Sequence, residues 1–320
     1  MLKLVGMSTR RKFIKNTALA GTLIPVMEIP FFQIGKSDRS EKQSIHIFSK
    51  HLQFLDYHDV GAMAAEMGFD GVDLTVRPKG HVLPEKVKTD LPKAVKDIQS
   101  GGSTCQLITT SIENAKNVLD VDILNAASAS KIKHYRTNWI KYDPKISMPE
   151  SIKQCQQQIK KLSDLNEKLG LIGNYQNHAG RNIGSSFWEV DMILKGTNPQ
   201  FFGTQYDVRH AMVEGGFSWE NGFELLKHRI KTIVLKDYKW GQVNGKWEPV
   251  NVPVGEGIVD FNQYFKLLKS NNLNPPVSLH LEYDLGGAEK GESVIGVDKK
   301  VVFDAMKRDL SLIRKIWQEA

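Results

Sequence analysis

The chain alternates between short apolar runs and longer segments in which apolar residues recur with a helical period. Short runs rich in β-branched residues indicate buried strands, and apolar spacings of three and four residues indicate amphipathic helices. Eight such runs occur, each followed by a helix-like segment: 44–48, 71–76, 104–110, 132–137, 171–176, 202–206, 232–236 and 277–281. Strand then helix, repeated eight times, predicts an α/β protein whose parallel strands close into a single (β/α)8 TIM barrel over residues 44–318.

Two local patterns complete this prediction. The last helix-like segment has one apolar face, which would pack against the barrel and close it: Val302, Met306, Leu310, Ile313 and Trp317. After the seventh strand, Asn244-Gly245 separates two strand-like pieces, and this dipeptide is the strongest short-range signal for a β-hairpin. We therefore expect a hairpin insertion after strand 7 that projects over the mouth of the barrel as a flap and returns Glu256 to the rim.

Composition adds few constraints. The 320 residues are 41% hydrophobic, which is ample for a large core. Of the formal charge of +7, five basic residues and one acidic residue place a net +4 within residues 1–35. The remaining charge is ordinary, and no Lys/Arg run is interleaved with aromatic residues, so nucleic acid is not an expected partner. Cys105 and Cys155 show no disulfide or zinc spacing and are interpreted as packing residues.

The first 35 residues have the organisation of an export signal and linker. Arg10-Arg11 is followed by a spacer, an apolar pair and a weakly apolar stretch from Ala18 to Met27. This pattern is typical of a twin-arginine signal and predicts an exported, periplasmic or otherwise extracytoplasmic protein; a basic N-terminal helix is the alternative. The apolar stretch is shorter than the roughly 20 residues that span a bilayer, and no other run reaches that length, so no membrane domain is expected.

Polar clusters follow four of the predicted strands in the second half of the chain. In a parallel barrel the C-terminal ends of all strands meet at one mouth, so residues distant in sequence become neighbours around one pocket. The clusters are Tyr175-Gln176-Asn177-His178, Asp207-Val208-Arg209-His210, Lys236-Asp237-Tyr238 and Glu282-Tyr283-Asp284. We expect the chemistry of the protein at these strand ends.

The residue types in these clusters suggest acid–base and electrophilic roles. The candidate catalytic residues are Glu282, His178, Lys236 and His210, and the candidate metal ligands are Asp207, Glu282 and His210. A polar pocket without an ion is the alternative to a divalent metal site. Lys236 could stabilise an enediolate oxygen in place of a missing metal ligand, or could form an ion pair with a neighbouring aspartate.

Further residues at strand ends and on the flap are candidates for substrate binding. Fixed basic and imidazole donors suit a polyhydroxylated or anionic ligand. Trp139, Trp188, Trp219, Trp240 and Trp247 include possible platforms for a sugar ring, and Trp240 and Trp247 on the flap are the better candidates. The set comprises Arg77, His81, Arg136, Gln176, Asn177, Trp240 and Glu256. Lys50 also follows a strand but receives no assigned role.

Taken together, these motifs resemble the xylose isomerase-like barrel superfamily, which includes the sugar phosphate isomerases and epimerases. The resemblance extends over residues 44–318 and rests on the second strand and on the ends of strands five to eight: Gly68-Phe69-Asp70-Gly71-Val72-Asp73-Leu74, Tyr175-Gln176-Asn177-His178, Tyr206-Asp207-Val208-Arg209-His210, Val234-Leu235-Lys236-Asp237 and Leu281-Glu282-Tyr283, with Val254-Gly255-Glu256-Gly257 before Asp260-Phe261.

The resemblance implies a metal-ligand set that this chain only half retains. Epimerases of the superfamily bind one divalent ion through a Glu, an Asp, a His and a second Glu on strands five to eight. Asp207 and Glu282 match this set, whereas Gln176 replaces the first Glu and Val234 replaces the His. An amide oxygen can coordinate a hard cation without adding charge, and valine cannot coordinate at all. A divalent Mn, Mg, Co or Zn ion and the metal-free pocket therefore both stay open, and no organic cofactor is expected.

The resemblance and the strand-end residues together predict a sugar isomerase or epimerase that removes a proton next to a carbonyl. Because phosphosugars are mainly cytoplasmic, the export signal favours an unphosphorylated sugar or keto-sugar. One alternative is a lyase that uses the same site on 3-keto-glycosides, and another is a sugar-binding barrel without catalysis. The expected partner is a small carbohydrate, and a homo-oligomer stays open.

Overall fold

The computed structural model describes residues 42–320, and the predicted export signal lies outside the described residues. Eight parallel strands form a closed barrel in the order β1-β10-β7-β6-β5-β4-β3-β2, which confirms the predicted TIM barrel. Their bounds are Ile45–Phe48 (β1), Gly71–Val76 (β2), Leu107–Thr110 (β3), His134–Arg136 (β4), Ile172–Gln176 (β5), Phe202–Asp207 (β6), Ile230–Leu235 (β7) and Val277–Leu279 (β10). Helices cover the outer face of the barrel, so the strands are buried on both faces.

Nine α-helices are described within residues 42–320: Tyr57–Met67 (α1), Val87–Ser100 (α2), Val118–Ala129 (α3), Met148–Leu169 (α4), Phe187–Leu194 (α5), Val208–Gly215 (α6), Trp219–Leu226 (α7), Phe261–Ser270 (α8) and Lys299–Glu319 (α9). Helix α4 begins at a capping box between Ser147 and Glu150 and ends at the left-handed Gly170. All five apolar residues predicted on the face of the last helix are buried in α9, which confirms that prediction. None of the described helices is long and apolar enough to cross a membrane.

The predicted hairpin follows β7 and consists of strands Asp237–Val243 (β8) and Lys246–Val252 (β9). Asn244 and Gly245 both have positive φ, at 51° and 77°, as the turn of a tight two-residue hairpin requires. The base of the hairpin is held by the Asp237 carboxylate, which accepts four backbone N–H bonds of 2.8 to 3.1 Å. A Cβ on Gly257 would collide with this carboxylate, so the close approach of the backbone requires glycine there.

Several strands are shorter than their apolar runs. The last run was expected to continue as a strand to residue 281, but β10 ends at Leu279. The Leu281 N–H donates to His51 Nε2 at 3.0 Å, inside the mouth of the barrel. This departure releases the next residues from the strand and directs them toward the neighbouring strand ends, where the candidate site forms.

Candidate functional site

Four strand ends of the second half converge as the barrel geometry predicts. Gln176 ends β5, Asp207 ends β6, Lys236 follows β7, and Glu282 lies just beyond β10. Lys236 Nζ lies 3.1 Å from Glu282 Oε2 and 3.3 Å from Asp207 Oδ2. Gln176 Nε2 donates to the same Asp207 oxygen at 2.9 Å. One ammonium group is therefore held between two carboxylates that lie 75 positions apart in the sequence.

Asp207 is fixed by its backbone as well as by its side chain. The Asn177 side chain brackets it, donating to its carbonyl at 2.9 Å and accepting its N–H at 2.8 Å. The carboxylate also caps α6 by accepting the His210 N–H at 3.0 Å. Burial raises the pKa of Asp207, and Lys236 opposes this shift. Asn177 is thus a positioning residue that holds Asp207 beneath the pocket.

His210 lies between two basic side chains. Its Nδ1 is 3.1 Å from Arg209 Nη1, and its Nε2 is 2.9 Å from Lys236 Nζ. Burial keeps the pKa of His210 well below its usual value, with Lys236 acting in the same direction, so the ring is neutral. A guanidinium and an ammonium group both only donate, and a neutral imidazole has one acceptor nitrogen, so the ring accepts from Arg209 or from Lys236 and not from both. Lys236 Nζ therefore has three neighbours at hydrogen-bond distance, namely His210, Asp207 and Glu282.

Glu282 is the carboxylate that reaches the pocket, with 22% of its side chain exposed. Besides Lys236, it contacts His280 Nδ1 at 3.4 Å and Lys50 Nζ at 3.8 Å. Burial alone would raise the pKa of Glu282, but Lys236, the His280 hydrogen bond and Lys50 together hold it well below its usual value. Glu282 is therefore ionised and available to accept a proton.

These strand ends surround a cavity of about 70 Å³ lined by Phe48, Lys50, Arg77, Arg136, Trp139, Gln176, His178, Lys236, His280 and Glu282. Two ring contacts form its walls. Trp139 packs on His178 with ring centroids 4.2 Å apart, and Phe48 stacks on His280 at the same distance. Aromatic faces beside fixed polar groups are suited to the apolar and hydroxyl faces of a sugar.

His178 enters the cavity as a neutral imidazole. Its Nδ1 donates to the Ala179 carbonyl at 2.9 Å, which leaves Nε2 as an acceptor. Burial lowers the pKa of His178 to about 3, and the charge of Lys236 acts in the same direction. Such a ring accepts a hydrogen bond from a ligand hydroxyl and stays uncharged at neutral pH.

The structure brings together most of the candidate residues. Arg77, Arg136, Gln176, His178, Lys236 and Glu282 line the cavity, and Asp207, His210 and Asn177 lie directly behind them. Three candidates lie elsewhere. His81 bonds to Thr75 and the Leu52 carbonyl beside a separate surface pocket, Trp240 is 48% exposed on the hairpin, and Glu256 points toward Arg308.

Two lining residues were not foreseen. Phe48 ends β1 and His280 follows β10, and both looked like ordinary strand residues in the sequence. For His280 a signal was present, because a residue two positions before Glu282 in an extended segment shares its face. For Phe48 the sequence carries no comparable signal, since an apolar residue at a strand end usually packs in the core.

The donor set does not fit a divalent metal ion. Gln176 presents an N–H donor to Asp207, and Val234, which pairs with Asp207 in register, has no ligand atom. The Lys236 ammonium lies between the two carboxylates that the ion would need. Within residues 42–320, no group of three or more His, Cys, Asp or Glu side chains is arranged to hold a metal. The positive charge at this point is supplied by the chain itself.

The fold and the site define an α/β-barrel protein with a charged pocket at the C-terminal ends of its strands. A family model described as the xylose isomerase-like TIM barrel matches residues 61–297. The chain belongs to this family.

Known proteins similar to this chain are sugar epimerases and dehydratases. An inosose dehydratase of Clostridium botulinum (strain Alaska E43 / Type E3) is 26% identical over 155 residues, covering 41% of this chain and 50% of the relative. The chain thus spans about half the length of the curated relatives it matches.

Two solved structures show the same fold. The apo 3-keto-D-glucoside 4-epimerase of E. coli superposes with a TM-score of 0.61 at 13% identity, covering 86% of this chain and 100% of that one. A xylose isomerase-like TIM barrel protein of Mycobacterium smegmatis, in complex with magnesium, gives a TM-score of 0.62 at 11% identity, covering 86% and 98%. At these identities the likeness shows the fold alone.

Proposed function

We propose that this protein is an enzyme that removes a proton next to the carbonyl of an unphosphorylated sugar or keto-sugar and returns it to the adjacent carbon, as an isomerase. One observation carries the proposal. Glu282, an ionised carboxylate, and Lys236, an ammonium group, lie 3.1 Å apart and both face the same cavity. A base beside a cation is the arrangement that a carbon–hydrogen bond next to a carbonyl requires.

The proton transfer follows from this geometry. Lys236 donates a hydrogen bond to the substrate carbonyl oxygen, and Glu282 takes the proton from the neighbouring carbon. The electrons of the broken C–H bond form a C=C bond, and the carbonyl electrons move to the oxygen, where Lys236 stabilises the enediolate. When the substrate carbonyl accepts a hydrogen bond from Lys236, the ion pair between Lys236 and Glu282 weakens, and Glu282 becomes a stronger base.

The number of bases favours isomerisation over two-sided epimerisation. To invert a stereocentre, one group removes the proton and a second group returns it on the opposite face. Gln176 cannot exchange a proton, and the imidazole of His178 stays neutral with a pKa of about 3. Isomerisation needs only Glu282, which returns the proton on the same face to the former carbonyl carbon. The hydroxyl proton of the carbon that lost its hydrogen passes to the former carbonyl oxygen, and that hydroxyl becomes the new carbonyl.

A β-eliminating lyase is the second candidate, and a specific observation favours it. Elimination also uses one base. Because a glutamine stands at position 176, Glu282 is the one carboxylate among the cavity-lining residues. Lys50, at 3.8 Å from Glu282, is placed to protonate a departing hydroxyl or glycosyl oxygen. The dehydratase relative also catalyses a loss of water, as its name states. In this reaction the enediolate expels the β-substituent instead of taking back its proton.

The remaining parts of the proposal concern substrate charge, location and metal. Residues 1–35 support an extracytoplasmic protein and hence an unphosphorylated substrate. The donor set supports Lys236, and not a divalent ion, as the cation that polarises the carbonyl. The expected readout is activity that persists after the leader-free protein is dialysed against a chelator.

The test is proton exchange with solvent. The leader-free protein is incubated in D2O with a panel of ketoses and 3-keto-glycosides, and products are followed by NMR. Deuterium entering a carbon next to the carbonyl, with a rearranged sugar, supports the isomerase, whereas release of water or an aglycone supports the lyase. Glu282→Gln serves as the control and should exchange deuterium at least roughly 100-fold more slowly. Tight binding across the panel without exchange by the wild-type protein would indicate a sugar-binding barrel and refute both reactions.

A further inference from the structure

The cavity holds an excess of positive side chains. Four cations line it, namely Lys50, Arg77, Arg136 and Lys236, whereas Glu282 is its one anionic lining residue. Both lysines are accounted for, because each forms an ion pair with Glu282, at 3.8 Å for Lys50 and 3.1 Å for Lys236. The two arginines are therefore the groups whose charge needs an explanation.

Within residues 42–320, neither arginine forms an ion pair within 4.0 Å of a carboxylate, and Asp73 and Glu282 act on both only over a longer distance. Arg136 donates one hydrogen bond, to the Thr137 carbonyl at 3.0 Å, and Arg77 donates none from its side chain. Arg136 is nevertheless only 4% exposed. A guanidinium group has five N–H donors. Its burial is costly when most of these donors lack an acceptor, and a ligand that accepts hydrogen bonds from them lowers this cost.

Both guanidinium groups are held in place by aromatic rings of the cavity wall. Arg136 lies over Trp139 at 4.3 Å from the ring centre, and Arg77 lies over Phe48 at 5.5 Å. Stacking on a ring fixes the plane of the fork and leaves its N–H edge free. Arg77 directly follows β2 and Arg136 ends β4, and both line the same cavity as Lys236 and Glu282.

One buried carboxylate, Asp73, lies behind the arginines. It accepts hydrogen bonds from Thr109 at 3.1 Å and 3.2 Å and from Ser278 at 2.6 Å. Burial raises the pKa of Asp73, and the hydrogen bonds from Ser278 and Thr109 and the charges of Arg136 and Arg77 oppose this shift. Even with Asp73 and Glu282 both ionised, the four cations of the cavity outnumber the two carboxylates, so an excess of positive charge faces the cavity.

We propose that the substrate is a sugar acid whose carboxylate binds between Arg77 and Arg136 while its keto group meets Lys236 and Glu282. This inference rests on the proposed function, since it names the class of sugar on which the same site acts. A planar carboxylate matches the forked edges of two guanidinium groups, and a phosphate, which shares its negative charge, is distinguished from it by the experiment below. The anionic group then sets the orientation of the sugar.

The experiment compares three hexoses that differ only at C6: D-glucuronate, D-glucose and D-glucose 6-phosphate. Binding to the leader-free protein is measured by isothermal titration calorimetry at low and high salt. We expect D-glucuronate to bind roughly 10- to 100-fold more tightly than D-glucose, because charge-assisted hydrogen bonds to both arginines form only with the acid. D-glucose 6-phosphate should bind less tightly than D-glucuronate.

Variants locate the effect at the two arginines. Arg77→Gln should remove most of the preference for the acid, and Arg136→Lys, which keeps the charge but loses the fork, should reduce it. Arg181→Gln removes an exposed guanidinium on a loop and should leave the preference unchanged. Unfolding midpoints of all variants are measured. If Arg77→Gln is unstable, the folded Arg136→Lys protein shows whether the preference for the acid depends on the arginines.

Equal affinity for D-glucuronate and D-glucose would overturn the inference, and so would a preference for the acid that both arginine variants retain. Tighter binding of the phosphate than of the carboxylate would also overturn it. If only the proposed function is wrong, the sugar acid still binds through the two arginines, but its keto forms exchange no deuterium with the solvent. The two proposals can therefore fail separately.

Discussion

Replacing Lys236 with methionine is the most direct test of the charge arrangement at the site. Methionine keeps the length and the apolar stem of lysine and removes only the ammonium group. Lys236 is 2% exposed and contacts Asp207 and Glu282 within 3.3 Å. In Lys236→Met the two carboxylates face each other without their shared cation.

The size of the effect follows from the burial of each partner. Removing one member of a buried ion pair costs about 3–5 kcal/mol, because the remaining charge stays desolvated. This cost applies to Asp207, which is fully buried. Glu282 is partly exposed and keeps its ion pair with Lys50 at 3.8 Å. The lower end of the range, about 3 kcal/mol, therefore applies. For a domain of this size that corresponds to a midpoint roughly 6–12 °C lower.

The assay is thermal and urea unfolding of the leader-free protein at pH 7. Lys239→Met, on the exposed face of the hairpin, is the matched control and should change stability by less than about 0.5 kcal/mol. In the D2O assay Lys236→Met should lower the exchange rate roughly 100- to 1,000-fold, the usual effect of removing one oxyanion donor. A destabilisation below about 1 kcal/mol, or full exchange activity in the variant, would refute this account of the site.

Three further predictions follow from other parts of the structure. Glu282→Gln should slow deuterium exchange roughly 100- to 10,000-fold while the fold is retained, and a variant with more than a tenth of wild-type exchange would exclude Glu282 as the base. Asp237→Asn weakens the four N–H bonds at the hairpin base, so amide exchange there should speed up by about tenfold or more, with unchanged protection of β3 as the control. Finally, stability should fall as pH drops from about 6.5 toward 4. In this range the histidines of the unfolded chain bind protons, whereas the buried histidines of the folded chain, whose pKa is lowered, stay neutral. Each such histidine lowers the free energy of unfolding by up to about 1.4 kcal/mol per pH unit. Equal urea midpoints at pH 7 and pH 5 would contradict this; buried aspartates of raised pKa offset only part of the loss. The histidines are His46, His51, His81, His134, His178, His210 and His280.

The barrel could be predicted from the sequence because its strands are buried on both faces and so appear as continuous apolar runs. The hairpin was equally accessible, since Asn244 and Gly245 adopt positive φ more readily than other residues. The strand ends were less accessible. Whether Leu281 continues the ladder depends on the hydrogen bond that its N–H donates to the distant His51 ring, which no local pattern encodes.

For the site, the sequence was informative wherever a residue directly ends a strand. Gln176, Asp207 and Lys236 hold such positions, and they meet because parallel strand ends must converge. His81 and Glu256 lie on loops, whose course depends on packing that the sequence does not reveal. His81 turns back toward Thr75, and Glu256 turns outward toward Arg308.

The least predictable feature was the position of the Lys236 ammonium, since a lysine side chain has four rotatable bonds and its sequence neighbours do not fix them. The structure places it between Asp207 and Glu282, and this has a consequence for substrate recognition. A bound metal ion can hold two substrate oxygens at once and so orient the sugar. Lys236 has three N–H groups and already lies within 3.3 Å of Asp207, Glu282 and His210, so it cannot do so alone. Orientation must then come from elsewhere in the cavity, and the guanidinium groups of Arg77 and Arg136, which form no ion pair with the described residues 42–320, are placed to provide it.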